Sequence, residues 1–147
     1  MSVRCAPPPS GAEASRLDSS RLASRAQRVL QALDCGRAEL SIKLVDDAEM
    51  AELNAAWRGQ SRPTDVLSFS LLEGDHSGYR GELLGDVVIS VETAARQARQ
   101  RHRSLDEVAT RLLIHGVLHL LGHDHAQAGE TRQMRAEERR VWRAVRS

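Results

Sequence analysis

Residues 112–125 decide the fold, and they read LLIHGVLHLLGHDH. From Leu112 to Leu121 this stretch is apolar almost throughout, apart from two histidines. A helix that is apolar on all sides has to be buried, so we expect this helix at the centre of the domain. His115 and His119 are four residues apart and therefore project from the same helix face, one turn apart. A central helix would hold their imidazoles rigidly.

Gly122 and His125 extend this pattern beyond the helix. Glycine tolerates a positive φ, which is how many helices end, so the chain can turn at Gly122 and bring His125 toward the first two histidines. Three imidazoles with an open fourth position are typical of catalytic zinc, whereas structural zinc usually has four protein ligands. The turn could instead present His123. Asp124 is either a hydrogen-bond partner of a ligand imidazole or a turn residue.

The spacing is related to a motif of zinc proteases, HExxHxxGxxH. The three histidines and Gly122 match this motif, but Gly116 stands where the glutamate would be. That glutamate is the general base of the protease. Since glycine has no side chain that could move a proton, the sequence predicts a metal site without the base for peptide hydrolysis.

The whole string also resembles the motif of the YbeY family. Three further blocks match in the right order: residues 53–58 with 63–69 (LNAAWR and PTDVLSF), residues 84–90 (LGDVVIS), and the pair Met134 and Glu138. The resemblance runs from about Glu39 to Glu138. One departure is His123, where the family more often has an aromatic residue.

This resemblance implies a bacterial metal-dependent endoribonuclease that acts on single-stranded RNA in ribosomal RNA maturation, at the 3′ end of 16S rRNA, and in ribosome quality control. It implies His115, His119 and His125 as ligands of one Zn²⁺ per chain, with Ni²⁺ or another divalent metal as alternatives, and Arg58 as a catalytic residue. From the residues alone, Arg58 could equally be an exposed arginine at a helix end. Implied partners are rRNA, proteins of the small ribosomal subunit and a ribosome-assembly GTPase.

Two other functions stay open at this point. One is a zincin-like metallopeptidase or another metal-dependent hydrolase, in which Glu82, Glu107 or another distant carboxylate would supply the missing base. The other is a non-enzymatic ribosome-assembly factor with structural zinc, for which a fourth protein ligand such as His123 or Asp124 would close the site.

Composition limits the class of protein. The chain has 147 residues, of which 41% are hydrophobic and 3% aromatic, and its net charge is +1. This suits one domain with an aliphatic core. We expect no membrane helix, no secretory signal, reduced cysteines and a cytoplasmic location. Of the 21 basic residues only Lys43 is a lysine; arginine pairs well with phosphate, although most of these arginines can equally be solvated.

Periodicity predicts the order α-β-α-β-β-α-α-α, which belongs to the α/β (α+β) class. We expect a single domain over residues 16–147, with a small mixed sheet of about four strands and helices packed around the metal-bearing helix. Residues 1–15, rich in Pro, Ala and Ser, are predicted to be a disordered N-terminal tail.

Capping residues and apolar spacing predict several helix details. Ser19 or Ser20 should cap the first helix, Asp46 or Asp47 the second, and Ser104 the histidine helix. In the second helix, Met50, Leu53 and Ala56 should face inward.

Overall fold

The computed structural model describes residues 2–6, 17–59, 64–70, 83–122 and 128–146. Within them the chain forms the strands β1 (Ser2–Cys5), β2 (Glu39–Val45), β3 (Val66–Ser70) and β4 (Leu83–Ser90), and the helices α1 (Ser19–Ala32), α2 (Asp47–Arg58), α3 (Val91–Arg101), α4 (Leu105–Leu120) and α5 (Ala128–Val145). The predicted mixed α/β class with a four-stranded sheet is confirmed.

The four strands form one mixed sheet in the order β1-β2-β4-β3. The β1–β2 and β2–β4 pairs are parallel, while β3 runs antiparallel to β4, with Ser68 opposite Val87. In this order β3 is an edge strand of the described sheet. The connection between β3 and β4, residues 71–82, lies outside the described residues.

Side chains alternate across the sheet and give it two different faces. In β2, Leu40, Ile42 and Leu44 are buried in the main core, which also takes residues from α1, α4 and α5. The opposite face carries a smaller cluster of Val45, Met50, Leu67 and Val88, to which α2 contributes. The sheet therefore has a thick, fully covered side and a thin side covered in part by α2.

Helix α4 lies at the centre, as its apolar sequence predicts. It packs against α1, α3, α5, β3 and β4. Ser104 caps its start, where the hydroxyl accepts from the Glu107 amide at 3.1 Å, and Gly122 follows its end with a φ of 95°. The helix that carries both histidines is thus fixed by neighbours on most of its circumference.

The expectation of a disordered tail is wrong for Ser2–Cys5. These residues form β1, in which Val3 and Cys5 pack against the core. Alternation of apolar and polar side chains lets even this short segment extend the sheet edge, whereas the prediction rested on the neighbouring prolines. Residues 1 and 7–15 of the predicted tail lie outside the described residues.

Two predictions about helices α1 and α2 also need correction. The cap of α1 is Asp18, whose carboxylate accepts from the Arg21 amide at 3.0 Å, and not Ser19 or Ser20. In α2 the cap is Asp46 as predicted, but Ala56 is exposed and the buried residues are Met50 and Asn54. The last turn of α2 therefore presents little of its surface to the core.

None of the described helices is both long enough and apolar enough to cross a bilayer.

Gly116 sets the distance between α4 and the sheet. A Cβ built on Gly116 would lie 2.8 Å from Val87 Cγ1 and 3.1 Å from Ser68 Oγ. Val87 is fully buried and β-branched, so it cannot rotate away cheaply. The Ser68 hydroxyl donates to the Gly116 carbonyl at 2.9 Å. Glycine is thus required at this position by the close approach of helix and strand.

We predict that Gly116→Ala lowers the free energy of unfolding by about 1–3 kcal/mol, because the added methyl overpacks the contact with Val87. Urea unfolding measures this change. Gly36→Ala is the matched control, since its Cβ would meet only Gln31 Cγ at 3.8 Å, and we expect a change within about 0.5 kcal/mol. Equal stability of the Gly116 variant and the wild type would contradict the close approach.

Candidate metal centre and adjoining groove

His115 and His119 bring two ring nitrogens together on one face of α4. Their Nε2 atoms are 3.1 Å apart, and the rings meet at 63° with centroids 4.7 Å apart. Two nitrogens bound to one tetrahedral zinc at ~2.0–2.1 Å would be separated by ~3.3–3.4 Å. The pair therefore fits a shared metal ion in both donor type and spacing.

Glu138 orients the first of these imidazoles. Its Oε1 lies 2.7 Å from Nδ1 of His115, and both side chains are one-third exposed. A carboxylate at this distance accepts a hydrogen bond from the Nδ1–H group, and in the neutral ring this tautomer leaves the lone pair of Nε2 available to bind metal. Metal-binding histidines commonly have such a partner on the second nitrogen. The arrangement supports His115 as a ligand.

The orienting role of Glu138 was missed in the sequence, where Glu138 entered only as part of a C-terminal pattern. The apolar spacing of α5 could have indicated this role. Among the described side chains of α5, the buried ones are Met134, Val141 and Val145. Glu138 lies four residues after Met134 and three before Val141, on the same helix face. A carboxylate within an apolar stripe needs a hydrogen-bond partner, and here that partner is His115.

The third predicted ligand, His125, lies outside the described residues, as do His123 and Asp124. Among the residues that the structure does describe, no group of three or more His, Cys, Asp or Glu side chains converges. The structure thus brings together two of the three predicted ligands. The positive φ of Gly122 agrees with the turn that the prediction requires.

Arg58 ends α2, just before Gly59 in the left-handed conformation. Its Nη2 donates to the Ser68 carbonyl at 2.9 Å, and its guanidinium carbon lies 6.0 Å from the centre of the Phe69 ring. No carboxylate pairs with Arg58 in the described part of the chain. Its positive charge is therefore not neutralised by any described side chain.

Ser68 connects Arg58 to the histidine helix. Its carbonyl accepts from Arg58, while its hydroxyl donates to the carbonyl of Gly116, the residue next to His115. Ser68 lies in β3, and it couples two helices that are far apart in the sequence. A single residue of β3 therefore links the Arg58 side chain to the backbone of α4.

Two cavities border these residues. A groove of about 660 Å³ runs along the thin side of the sheet, and its lining is Ser41, Lys43, Leu53, Trp57, Arg58, Ser68, Phe69, Asp86 and Val88. A smaller cavity of about 240 Å³ is lined by Asp65, Arg101, Arg111, Leu112, Ile114, His115 and Glu138. Arg58 and His115 thus line different cavities, and Ser68 lies between the elements that carry them.

The geometry argues against a peptidase. Contact of Gly116 with Val87 leaves no space for a glutamate there. Burial raises the pKa of Glu107, but hydrogen bonds and charges from Arg103 and Arg111 outweigh this and hold the pKa below its usual value. A carboxylate with a lowered pKa is a weak base. Glu82, the other carboxylate considered, lies outside the described residues.

Comparison with known proteins gives one consistent family. The family model described as Endoribonuclease YbeY matches residues 11–146. A protein of that name from Anaeromyxobacter sp. (strain Fw109-5) is 48% identical over 136 residues, which is 92% of this chain and 67% of the relative. Another from Aquifex aeolicus (strain VF5) is 50% identical over 105 residues, covering 71% of this chain and 68% of the relative.

A third relative of the same name, from Syntrophotalea carbinolica, is 43% identical over 123 residues, covering 82% of both chains. The fold is similar to the solution structure of a Thermotoga maritima protein, with a TM-score of 0.60 at 26% identity, over 98% of this chain and 91% of that one. Because the family model and these relatives cover most of the sequence, the chain belongs to the endoribonuclease YbeY family.

Proposed function

We propose that this protein is a metal-dependent endoribonuclease that cuts single-stranded RNA. The observation that carries the proposal is the 3.1 Å approach of the two Nε2 atoms, with Glu138 on the far nitrogen of His115. Family membership supplies the chemical class, since the relatives are named endoribonucleases. The absence of a base at Gly116 argues for this class over a zinc peptidase.

The metal in this proposal is one Zn²⁺ per chain, held by His115, His119 and His125, with Ni²⁺ or another divalent metal as alternatives. Imidazole ligands suit zinc, nickel and copper alike, so the donor set alone does not choose among them. When bound, such a metal polarises a phosphoryl oxygen and lowers the pKa of water. The contribution of Glu138 is to hold the His115 ring in one tautomer and one orientation.

Arg58 would bind the phosphate and stabilise the negative charge that builds up in the transition state. One of its five N–H donors is used by the Ser68 carbonyl, so the others can reach an anion. The bond to Ser68 also fixes the position of the guanidinium relative to α4. This preorganisation is what makes a charged donor effective in catalysis.

Two nucleophiles are compatible with this site, namely a water molecule and the 2′-hydroxyl of the RNA itself. A single deoxyribose at the cleavage position separates them. Attack by water continues on that substrate, whereas attack by the 2′-hydroxyl stops, because that route has to form a cyclic phosphate.

The proposed substrate in the cell is a precursor of ribosomal RNA, with cleavage at the 3′ end of 16S rRNA in maturation and quality control. Proteins of the small subunit and a ribosome-assembly GTPase are the proposed partners. Support comes from the family and from the charge of residues 96–147, which contain eleven arginines and six acidic residues. Such an excess favours binding to a polyanion.

We predict that His119→Ala loses bound zinc and loses cleavage of a single-stranded rRNA precursor together, because one of the two converging nitrogens is removed. Metal analysis and a gel assay on the same preparation measure both. His102→Asn is the control. His102 is exposed and lines neither of the two cavities, and its left-handed conformation is one that asparagine tolerates. Cleavage by the His119 variant at the wild-type rate would contradict the proposal.

Arg58→Glu should reduce cleavage by roughly 100- to 1,000-fold or more, because a donor that stabilises transition-state charge is replaced by a repelling carboxylate. Zinc content should not change. The control is Arg139→Glu, which makes the same change of charge at an exposed position of α5. Loss of zinc in the Arg58 variant, or equal effects of the two substitutions, would exclude this role.

Glu138→Ala should weaken zinc binding by roughly 10- to 100-fold, because the His115 ring loses the partner that fixes its tautomer. Competition with a chromogenic chelator measures the affinity. Glu137→Ala is the matched control on the same helix, where the carboxylate pairs with Arg140 at 2.8 Å. An unchanged zinc affinity in the Glu138 variant would show that the hydrogen bond does not serve the metal site.

A further inference from the structure

Trp57 exposes a large apolar ring to solvent. Its side chain is 68% exposed, and it is the one exposed large hydrophobic residue in the described parts of the chain. Removing an aromatic side chain of this size from water would be favourable. The fold forgoes this stabilisation at the last turn of α2, directly before Arg58. An exposed aromatic next to a groove is typical of a binding surface.

The ring of Trp57 belongs to an aromatic wall of the groove. Its centre is 5.8 Å from that of Phe69, and the two planes meet at 69°. Leu53 and Val88 line the same groove, and the guanidinium of Arg58 lies 6.0 Å from the Phe69 ring. Two aromatic rings in edge-to-face contact and an unneutralised cation therefore lie side by side.

This combination has the chemistry that binds unpaired nucleotides. Proteins that recognise single strands stack bases on aromatic rings and bind the phosphates with arginine. In a duplex both faces of each base are already stacked, so the platform could not reach them. The groove volume of about 660 Å³ also lies in the range of about 300–1,000 Å³ that small-ligand sites show.

The remaining lining argues against an apolar peptide or a second copy of the chain. Ser41, Lys43 and Asp86 line the same groove. Lys43 pairs with Glu49 at 2.8 Å, but a purely apolar partner would offer no hydrogen bond to Ser41 or Asp86, which is costly on burial. A nucleotide carries polar base edges and a sugar that could pair with them. The charge of Arg58 has a natural complement in a phosphate.

We propose that the exposed ring of Trp57, held edge-to-face by Phe69, is a stacking platform for an unpaired nucleobase, adjacent to a phosphate bound by Arg58, and that this platform gives the groove its preference for single strands. The inference rests on the proposed ribonuclease function and adds a specificity-determining residue to it. Trp57 acts in binding and not in the chemical step.

Tryptophan fluorescence tests the platform, because the chain has only two tryptophans. Trp142 is on α5, half-buried, with the guanidinium of Arg111 at 4.7 Å from its ring centre. Trp142→Phe keeps an aromatic ring at that position and leaves Trp57 as the single reporter. Wild-type protein measured in parallel, with thermal melts of both, controls for folding.

The probes are three 2′-O-methyl oligonucleotides of equal length: a single strand, the same backbone with abasic positions, and the corresponding duplex. We expect the single strand to quench and shift the Trp57 emission, and the abasic strand and the duplex to leave it unchanged. In anisotropy measurements, Trp57→Leu should weaken single-strand binding by about 5- to 150-fold, leave abasic binding unchanged, and be partly rescued by Trp57→Phe.

Two results would overturn the platform while the proposed function stands. One is single-strand binding that leaves Trp57 emission unchanged, which would assign the exposed ring to a protein partner instead. The other is equal affinity for base-containing and abasic strands in the wild type. Failure of both the wild type and the variants to bind any oligonucleotide would contradict the ribonuclease proposal itself.

Discussion

The close approach of α4 to the sheet at Gly116 is the constraint on which the rest of the structure depends. With no side chain at this position, the helix backbone reaches the Val87 side chain and the Ser68 hydroxyl. A helix set further from the sheet would lose that hydrogen bond and open a void in the main core, which would be destabilising. The same glycine removes the base that a zinc peptidase requires. Packing and the choice of chemistry are thus linked through one residue.

Three elements then converge on the histidine pair. Helix α4 supplies both imidazoles, α5 supplies the carboxylate that orients one of them, and β3 connects α4 to Arg58 through Ser68. Each of these described side chains lies on a helix or strand, which gives a site better precision than a flexible segment would. The groove beside Arg58 lies on the thin side of the sheet because α2 covers only part of that face.

The sequence predicted the features that follow from local pattern. The apolar run around His115 indicated a central helix, and the capping residues Asp46 and Ser104 indicated the starts of α2 and α4. Arg58 as a functional residue came from the family resemblance and not from spacing, and the resemblance also favoured His125 over His123 as the third ligand.

What the sequence did not reveal depends on contacts between distant segments. β1 gains its stability from pairing with β2, 37 positions away in the case of Ser2 and Glu39, and four residues beside a proline run carry little pattern of their own. Glu138 meets His115 only because α5 folds back onto α4. The exposure of Trp57 depends on where α2 ends over the sheet, since its spacing from Leu53 would equally suit a buried helix face.

The most direct test of the account is a crystal structure of the zinc-loaded protein with anomalous data at the zinc edge. We expect one zinc bound by Nε2 of His115 and His119 at ~2.0–2.1 Å, with His125 as the third ligand. Glu138 should still be hydrogen-bonded to Nδ1 of His115. Zinc bound elsewhere, zinc bound through Nδ1 of His115, or a cage closed by four protein ligands would contradict it.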